Sequence, residues 1–205
     1  MDRKEKLWTG VAVAAVLGAV AYFAYDVYLT RPKIGPQRTD PAKELGVDRS
    51  SAPAPPFELA ALDGSRISLA QLQGQVVFVN FWATWCPPCR DEMPSMIRLG
   101  KALADKHPGK FRMVAISVDD GWDPVKEYFA SPPFGGAPAG VTVALDASAT
   151  SARAYYCTAR GFCPDIKFPE TYIVDGKGKL VGYVVGPRDW SNPAAFEYLD
   201  RLIGS

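Results

Sequence analysis

The chain has 205 residues, with 23 Lys+Arg against 22 Asp+Glu and a formal charge of +1. That near-neutrality argues against a protein that coats nucleic acid, and 48% apolar with 22% charged residues is the balance of a globular chain rather than a disordered one. Four cysteines are too few for a disulfide-stapled miniprotein. The single histidine, His107, excludes a multi-histidine metal centre and any catalytic scheme that needs two imidazoles.

Residues 1–6, MDRKEK, carry three basic side chains, and the 19 residues from Leu7 to Tyr25 carry no charge. As a helix that stretch spans roughly 29 Å at ~1.5 Å per residue, about one hydrocarbon core. Trp8 at one edge and Tyr22, Tyr25 and Tyr28 at the other stand where amphipathic rings prefer the interface. A cleaved signal peptide has a shorter apolar region and then a small-x-small site, whereas residues 22–28 are bulky. The expectation is a short cytoplasmic tail at 1–6 and an uncleaved, single transmembrane helix over 7–29 that contacts the lipid bilayer. Arg3, Lys4 and Lys6 precede it and Arg31, Lys33 and Arg38 follow, so charge alone does not orient it. Six prolines between residues 31 and 56 mark 30–56 as a Pro-rich linker. Residues 57–205 are left as one domain with one core.

Within that domain, Phe57–Leu62 and Arg66–Leu69 flank Asp63-Gly64, a hairpin signal. VVFVNF at Val76–Phe81 is a nearly unbroken apolar run, the mark of a strand covered on both faces, and Phe111–Val118 is similar. Val141–Leu145, Thr171–Asp175 and Leu180–Val185 read as further strands, the last two joined by Gly176-Lys177-Gly178. Helices are expected from near Cys86 towards Lys106, and over Trp122–Ala130, Ser148–Tyr155 and Asn192–Leu202. Alternating strands and helices with a closing hairpin give an α/β layer fold: a mixed central sheet flanked by helices, entered through a β-hairpin.

Directly after VVFVNF comes Trp82-Ala83-Thr84-Trp85-Cys86-Pro87-Pro88-Cys89. Two cysteines separated by two residues can close a disulfide across the first turn of a helix, where free N–H groups and the positive dipole end stabilise a thiolate. The thiolate is the form that attacks disulfides, and prolines suit the first helical turn. Cys86, at the outer edge, is expected to be the nucleophile, and Cys89, one turn inward, the thiol that resolves the mixed disulfide. Half of a zinc knuckle is the bland alternative, but Cys157 and Cys163 do not form a second knuckle and no histidine lies near them. No metal and no cofactor are expected. A purely structural disulfide is the other alternative.

The run VVFVNFWATWCPPCRDEMP resembles the active-site segment of the thioredoxin superfamily, and more closely that of the membrane-anchored, TlpA/ResA/DsbE-like thiol–disulfide oxidoreductases of bacteria. The resemblance extends through FRMVAISVDD and FPETYIVDGKGKLV. It implies a thioredoxin-like fold, and it assigns Pro169 to the family's cis-proline opposite the CxxC, beside which an extended substrate pairs. Glu92 matches an acidic position three residues after the second cysteine, from which a carboxylate could move protons to or from Cys89; the alternative is a solvated helix residue. Pro94 matches a helix-kink proline. Thioredoxin carries a buried aspartate where this chain has Asn80, and an amide cannot titrate. If a carboxylate serves Cys89, Glu92 is the candidate.

Cys157 and Cys163 lie within a dozen residues of Pro169, where the family has a shorter link. Gly161 between them lets the chain double back and Pro164 restricts the exit, so a structural disulfide is expected, with a second redox pair or a relay as the sharper alternative. Either use points to an oxidising compartment, which would put the N-terminus in the cytoplasm and the domain in the periplasm, on a bacterial inner membrane. The leading expectation is an enzyme that reduces protein disulfides, taking electrons from a membrane dithiol donor. In family terms its substrates are apocytochrome c or a copper-site protein. A disulfide oxidant or isomerase is the alternative within catalysis. A copper-binding chaperone of thioredoxin fold is the alternative outside it, although chaperones of that kind use CxxxC plus a distant histidine. A peroxiredoxin would need an Arg and a Thr at its cysteine rather than a vicinal thiol.

Overall fold

The computed structural model describes residues 3–30, 39–163 and 165–205, with side chains from Ala14 onward. Residues 31–38 of the expected linker, Met1 and Asp2 of the tail, and Pro164 lie outside the described residues. The chain divides into two compact units, Met1–Thr39 and Asp40–Ser205.

The first unit is one helix, α1, Arg3–Thr30. Val16, Leu17, Val20, Phe23 and Leu29 are each at least 61% exposed, so this helix leaves most of its described large apolar side chains uncovered, Val27 being half-buried. Among the described residues no helix is long and apolar enough to cross a membrane. Residues 7–13 of the uncharged stretch have no described side chains.

The second unit begins earlier than the expected boundary at Phe57. A short helix α2, Pro41–Leu45, is capped by the Asp40 side chain, which accepts from Ala42 N–H, and it buries Ala42 and Leu45. Strand β1, Asp48–Arg49, pairs with β8, Leu180–Val185, and Pro53 bridges to Lys179. Proline-rich composition suggests a tether, but prolines sit readily on a sheet edge, where no ladder N–H is needed.

The remaining elements follow the expected order. The hairpin β2, Glu58–Ala61, and β3, Arg66–Ser68, turns at Asp63-Gly64. Then come β4, Val76–Trp82, α3, Pro87–Lys106, β5, Phe111–Ser117, α4, Trp122–Ala130, and β6, Val141–Leu145. Helix α5, Thr150–Arg160, strand β7, Glu170–Val174, and helix α6, Pro193–Ile203, complete the set. The sheet order is β1-β8-β7-β4-β5-β6-β2-β3. Strands β4, β5 and β6 run parallel, and β7 pairs antiparallel with β4, so the sheet is mixed as expected.

Every residue of β4 is buried, as its unbroken apolar run requires. Successive side chains on a strand point to opposite faces. Phe78 meets Trp190, Asn80 meets Glu92 of α3 and Trp82 meets Phe129 of α4, which defines one face. Phe81 meets Tyr155 of α5 on the other. Helix α3 lies close to the sheet at Gly100, where an added Cβ would come within 2.7 Å of Met113 Sδ. One sequence boundary moves: α5 continues past Tyr155 to Arg160, so Cys157 stands in the last turn of a helix rather than in an inserted loop. Gly161 follows in the left-handed conformation, the cap that ends helices without a Cβ penalty.

Candidate active site

Strand β4 ends at Trp82 and α3 begins at Pro87, with Cys86 as its N-cap in extended conformation. Cys86 and Cys89 form a disulfide across this first turn, with Cα atoms 5.3 Å apart. Cys86 keeps 5% of its surface exposed and Cys89 none, so both sulfurs are largely buried and the outer one is Cys86. Pro87 and Pro88 occupy the first two helical positions and have no N–H. Of the donors a helix start ordinarily offers, the first left is that of Cys89, so thiolate stabilisation here rests on that group and the helix dipole.

The loop that carries Cys86 is pinned from below. Asp119, 2% exposed, accepts from Thr84 N–H at 3.0 Å, from the Thr84 hydroxyl at 2.6 Å and from the Ser117 hydroxyl at 2.6 Å. The two flanking tryptophans divide: Trp82 is fully buried, while Trp85 is 64% exposed beside the dithiol. Trp85 meets Phe168 edge-on at 6.0 Å between ring centroids. Phe168–Pro169 is a cis peptide bond, as the resemblance implies. The next residue, Glu170, pairs with Phe81 near the end of β4. The sheet register and the Trp85–Phe168 contact thus bring Pro169 to the Cys86 loop.

Glu92 is 4% exposed, not a solvated helix residue. It lies on the face of α3 that buries Cys89, Met93 and Met96. Its Oε1 accepts from Asn80 Nδ2 at 2.9 Å, and its Oε2 from Arg188 N–H at 3.0 Å and Trp190 Nε1 at 3.2 Å. Asn80 also donates to Thr171 Oγ1 at 3.0 Å. Burial pushes the Glu92 carboxyl up to about 7, and the three donors offset it only in part. A cleft of about 360 Å³ lined by Asp91, Ser95, Arg98, Arg188 and Asp189 reaches Glu92 from solvent. A carboxyl poised near neutrality one turn below Cys89, with a route to water, is suited to proton transfer.

Cys157 and Cys163 are joined by a second disulfide with Cα atoms 4.4 Å apart. Among the described residues no group of three or more His, Cys, Asp or Glu side chains could hold a metal ion. Arg188 and Trp190 carry no sequence signal, and Asp119 is marked only as part of the FRMVAISVDD segment, without a role. They reach the site from loops whose course is set by the sheet.

The signature of the AhpC/TSA family matches residues 51–183. The chain belongs to the AhpC/TSA family. Among its relatives, the thiol-disulfide oxidoreductase ResA of Bacillus subtilis (strain 168) is 33% identical over 187 residues, covering 91% of this chain and 88% of that one. The thioredoxin-like protein YneN of the same organism is 38% identical over 102 residues, about half of each chain. A solved structure, the thiol:disulfide interchange protein of the thioredoxin family from Chlorobium tepidum TLS, superposes with a TM-score of 0.61 at 30% identity, covering 77% of this chain and 99% of that one. This member of the AhpC/TSA family is an enzyme, a thiol–disulfide oxidoreductase of thioredoxin-like fold.

Proposed function

We propose that the chain is a membrane-anchored, periplasm-facing enzyme that reduces protein disulfides through the Cys86–Cys89 dithiol. The observation that carries the reading is the placement of that pair at the start of α3, between the exposed Trp85 and the Phe168-Pro169 segment, with Glu92 buried one turn behind. Cys86 attacks the substrate disulfide as thiolate, and one substrate sulfur leaves as a thiol. Cys89, its proton taken up by Glu92, then attacks Cys86 Sγ and releases the second substrate thiol, leaving the enzyme disulfide. The Pro169 backbone aligns the substrate chain by strand-like pairing. A membrane dithiol donor restores the reduced state. Apocytochrome c and copper-site cysteines are the substrates this reading favours.

The anchor is supported by the uncharged stretch Leu7–Tyr25, by the continuous helix Arg3–Thr30 and by the exposed apolar side chains on it, which water would not favour. The periplasmic side is supported by two disulfides in one small domain. Equilibrating the full chain in dithiothreitol buffers with acid trapping tests the direction. A Cys86–Cys89 midpoint near about −270 mV is expected of a reductant, and one near about −120 mV would make the enzyme an oxidant.

A further inference from the structure

The exchange chemistry makes no use of a second buried charge cluster beside Pro169. Arg160 is the last residue of α5 and lies inside the span that the Cys157–Cys163 disulfide closes. Its side chain is only 11% exposed. The guanidinium lies 3.8 Å from the centroid of the Tyr156 ring and 5.0 Å from that of Tyr183. Its Nη2 donates to Glu170 Oε1 at 2.8 Å. Glu170, whose side chain is 2% exposed, also accepts from the Tyr172 hydroxyl. A buried carboxylate without partners is strongly disfavoured, so Arg160 and Tyr172 are what let Glu170 sit there charged. The Tyr156 hydroxyl donates to the Asp165 carbonyl at 2.6 Å. The segment from Cys163 to Glu170 is thus attached to α5 by a disulfide, a hydrogen bond and an ion pair.

We infer that Arg160 is a positioning residue for protein substrates: held by the Cys157–Cys163 loop, it fixes Glu170 and with it the Phe168-Pro169 backbone along which the substrate chain lies. The inference rests on the dithiol reading above and adds a residue to it. Glu170 follows Pro169 directly, and its backbone is paired on one side with β4 at Phe81 and on the other with β8 at Val185, where Gly186 N–H donates to the Pro169 carbonyl. Its carboxylate is held from α5 by the single Arg160 Nη2 bond, and a planar guanidinium lying over the Tyr156 ring fixes direction as well as charge. A buried ion pair is weak evidence for stability, which leaves a positioning role for this one to be tested. A small disulfide needs only the Cys86–Cys89 dithiol and should not sense this arrangement. A polypeptide that pairs along Pro169 should.

The test uses the full chain with insulin and with 5,5′-dithiobis(2-nitrobenzoate) as substrates. Arg160→Met should raise KM for insulin about tenfold, because a small misplacement of a positioning surface is costly, with kcat for insulin and the rate with the small disulfide within about twofold of native. Arg160→Lys should recover part of the KM. Should Arg160→Met alone fail to fold because Glu170 is left unpaired, the pair Arg160→Met/Glu170→Gln removes both charges and should show the same KM rise. Cys157→Ala/Cys163→Ala should reproduce it, and adding Arg160→Met to that variant should raise KM no further. An unchanged KM, equal losses on both substrates, or additive effects of the loop and Arg160 changes would overturn the inference. A native chain that turns over neither substrate would overturn the dithiol reading beneath it.

Discussion

Glu92 owes its position on the acidity scale to burial that its neighbours offset only in part. Its carboxyl lies at about 7 in the folded chain against an ordinary value of 4.5, so the folded state holds this proton more tightly than the unfolded one. The resulting stability is fully present below pH about 4.5 and is lost as pH rises through about 7. Glu92→Gln removes that dependence. Urea unfolding at pH 4.5 and pH 8 should show the native chain losing roughly 3 kcal/mol relative to Glu92→Gln over that interval; parallel pH dependence of the two proteins would remove Glu92 from the account. The sequence made part of this readable. Glu92 is three residues from Cys89, which puts both on one helix face, and Asn80 in place of an aspartate leaves the proton-carrying role vacant. Its other partners, Arg188 and Trp190, arrive from nearly a hundred residues away and have no local pattern. Asp119 lies in a segment the resemblance covers, but its grip on Thr84, from which it accepts two hydrogen bonds across 35 residues, is not announced by any spacing.

At the scale of elements, the Asp63-Gly64 hairpin signal and the unbroken apolar runs located the first strands from β2 onward because the sheet's interior demands such runs, and the helix start at Cys86 was legible from its prolines. Two elements were not. Helix α2 and strand β1 lie in proline-rich sequence whose composition describes a free chain, and only pairing with β8 gives them a place. Helix α5 outruns its sequence signal and ends at the Gly161 cap, with the second disulfide closing back on its last turn. Removing that link with Cys157→Ala/Cys163→Ala frees a short loop in the unfolded chain, and thermal unfolding should report a loss of about 2 kcal/mol. A loss of exchange with a small disulfide in the same variant would mean that the chemistry lies in the other cysteine pair.

For the molecule as a whole, the parallel strands β4 and β5 place the start of α3 at the carboxyl end of the sheet's centre, and antiparallel β7 returns Pro169 to the same end. The dithiol, the buried acid and the Phe168-Pro169 segment are therefore brought to one end of the sheet although they are distant in sequence. The mixed sheet and the CxxC at a helix start were legible in the sequence, because a buried strand running into Cys-Pro-Pro-Cys leaves few alternatives. The order of the outer strands was not, since β2 docks on β6 and β1 on β8 through contacts without a sequence signature. The central claim is that Cys86 attacks and Cys89 resolves. Mass spectrometry of Cys89→Ser mixed with a disulfide-containing peptide tests it most directly. A stable mixed disulfide on Cys86 is the predicted result, absent in Cys86→Ser; an adduct on Cys157 or Cys163 with Cys86 free, or equal trapping by Cys86→Ser, would contradict it.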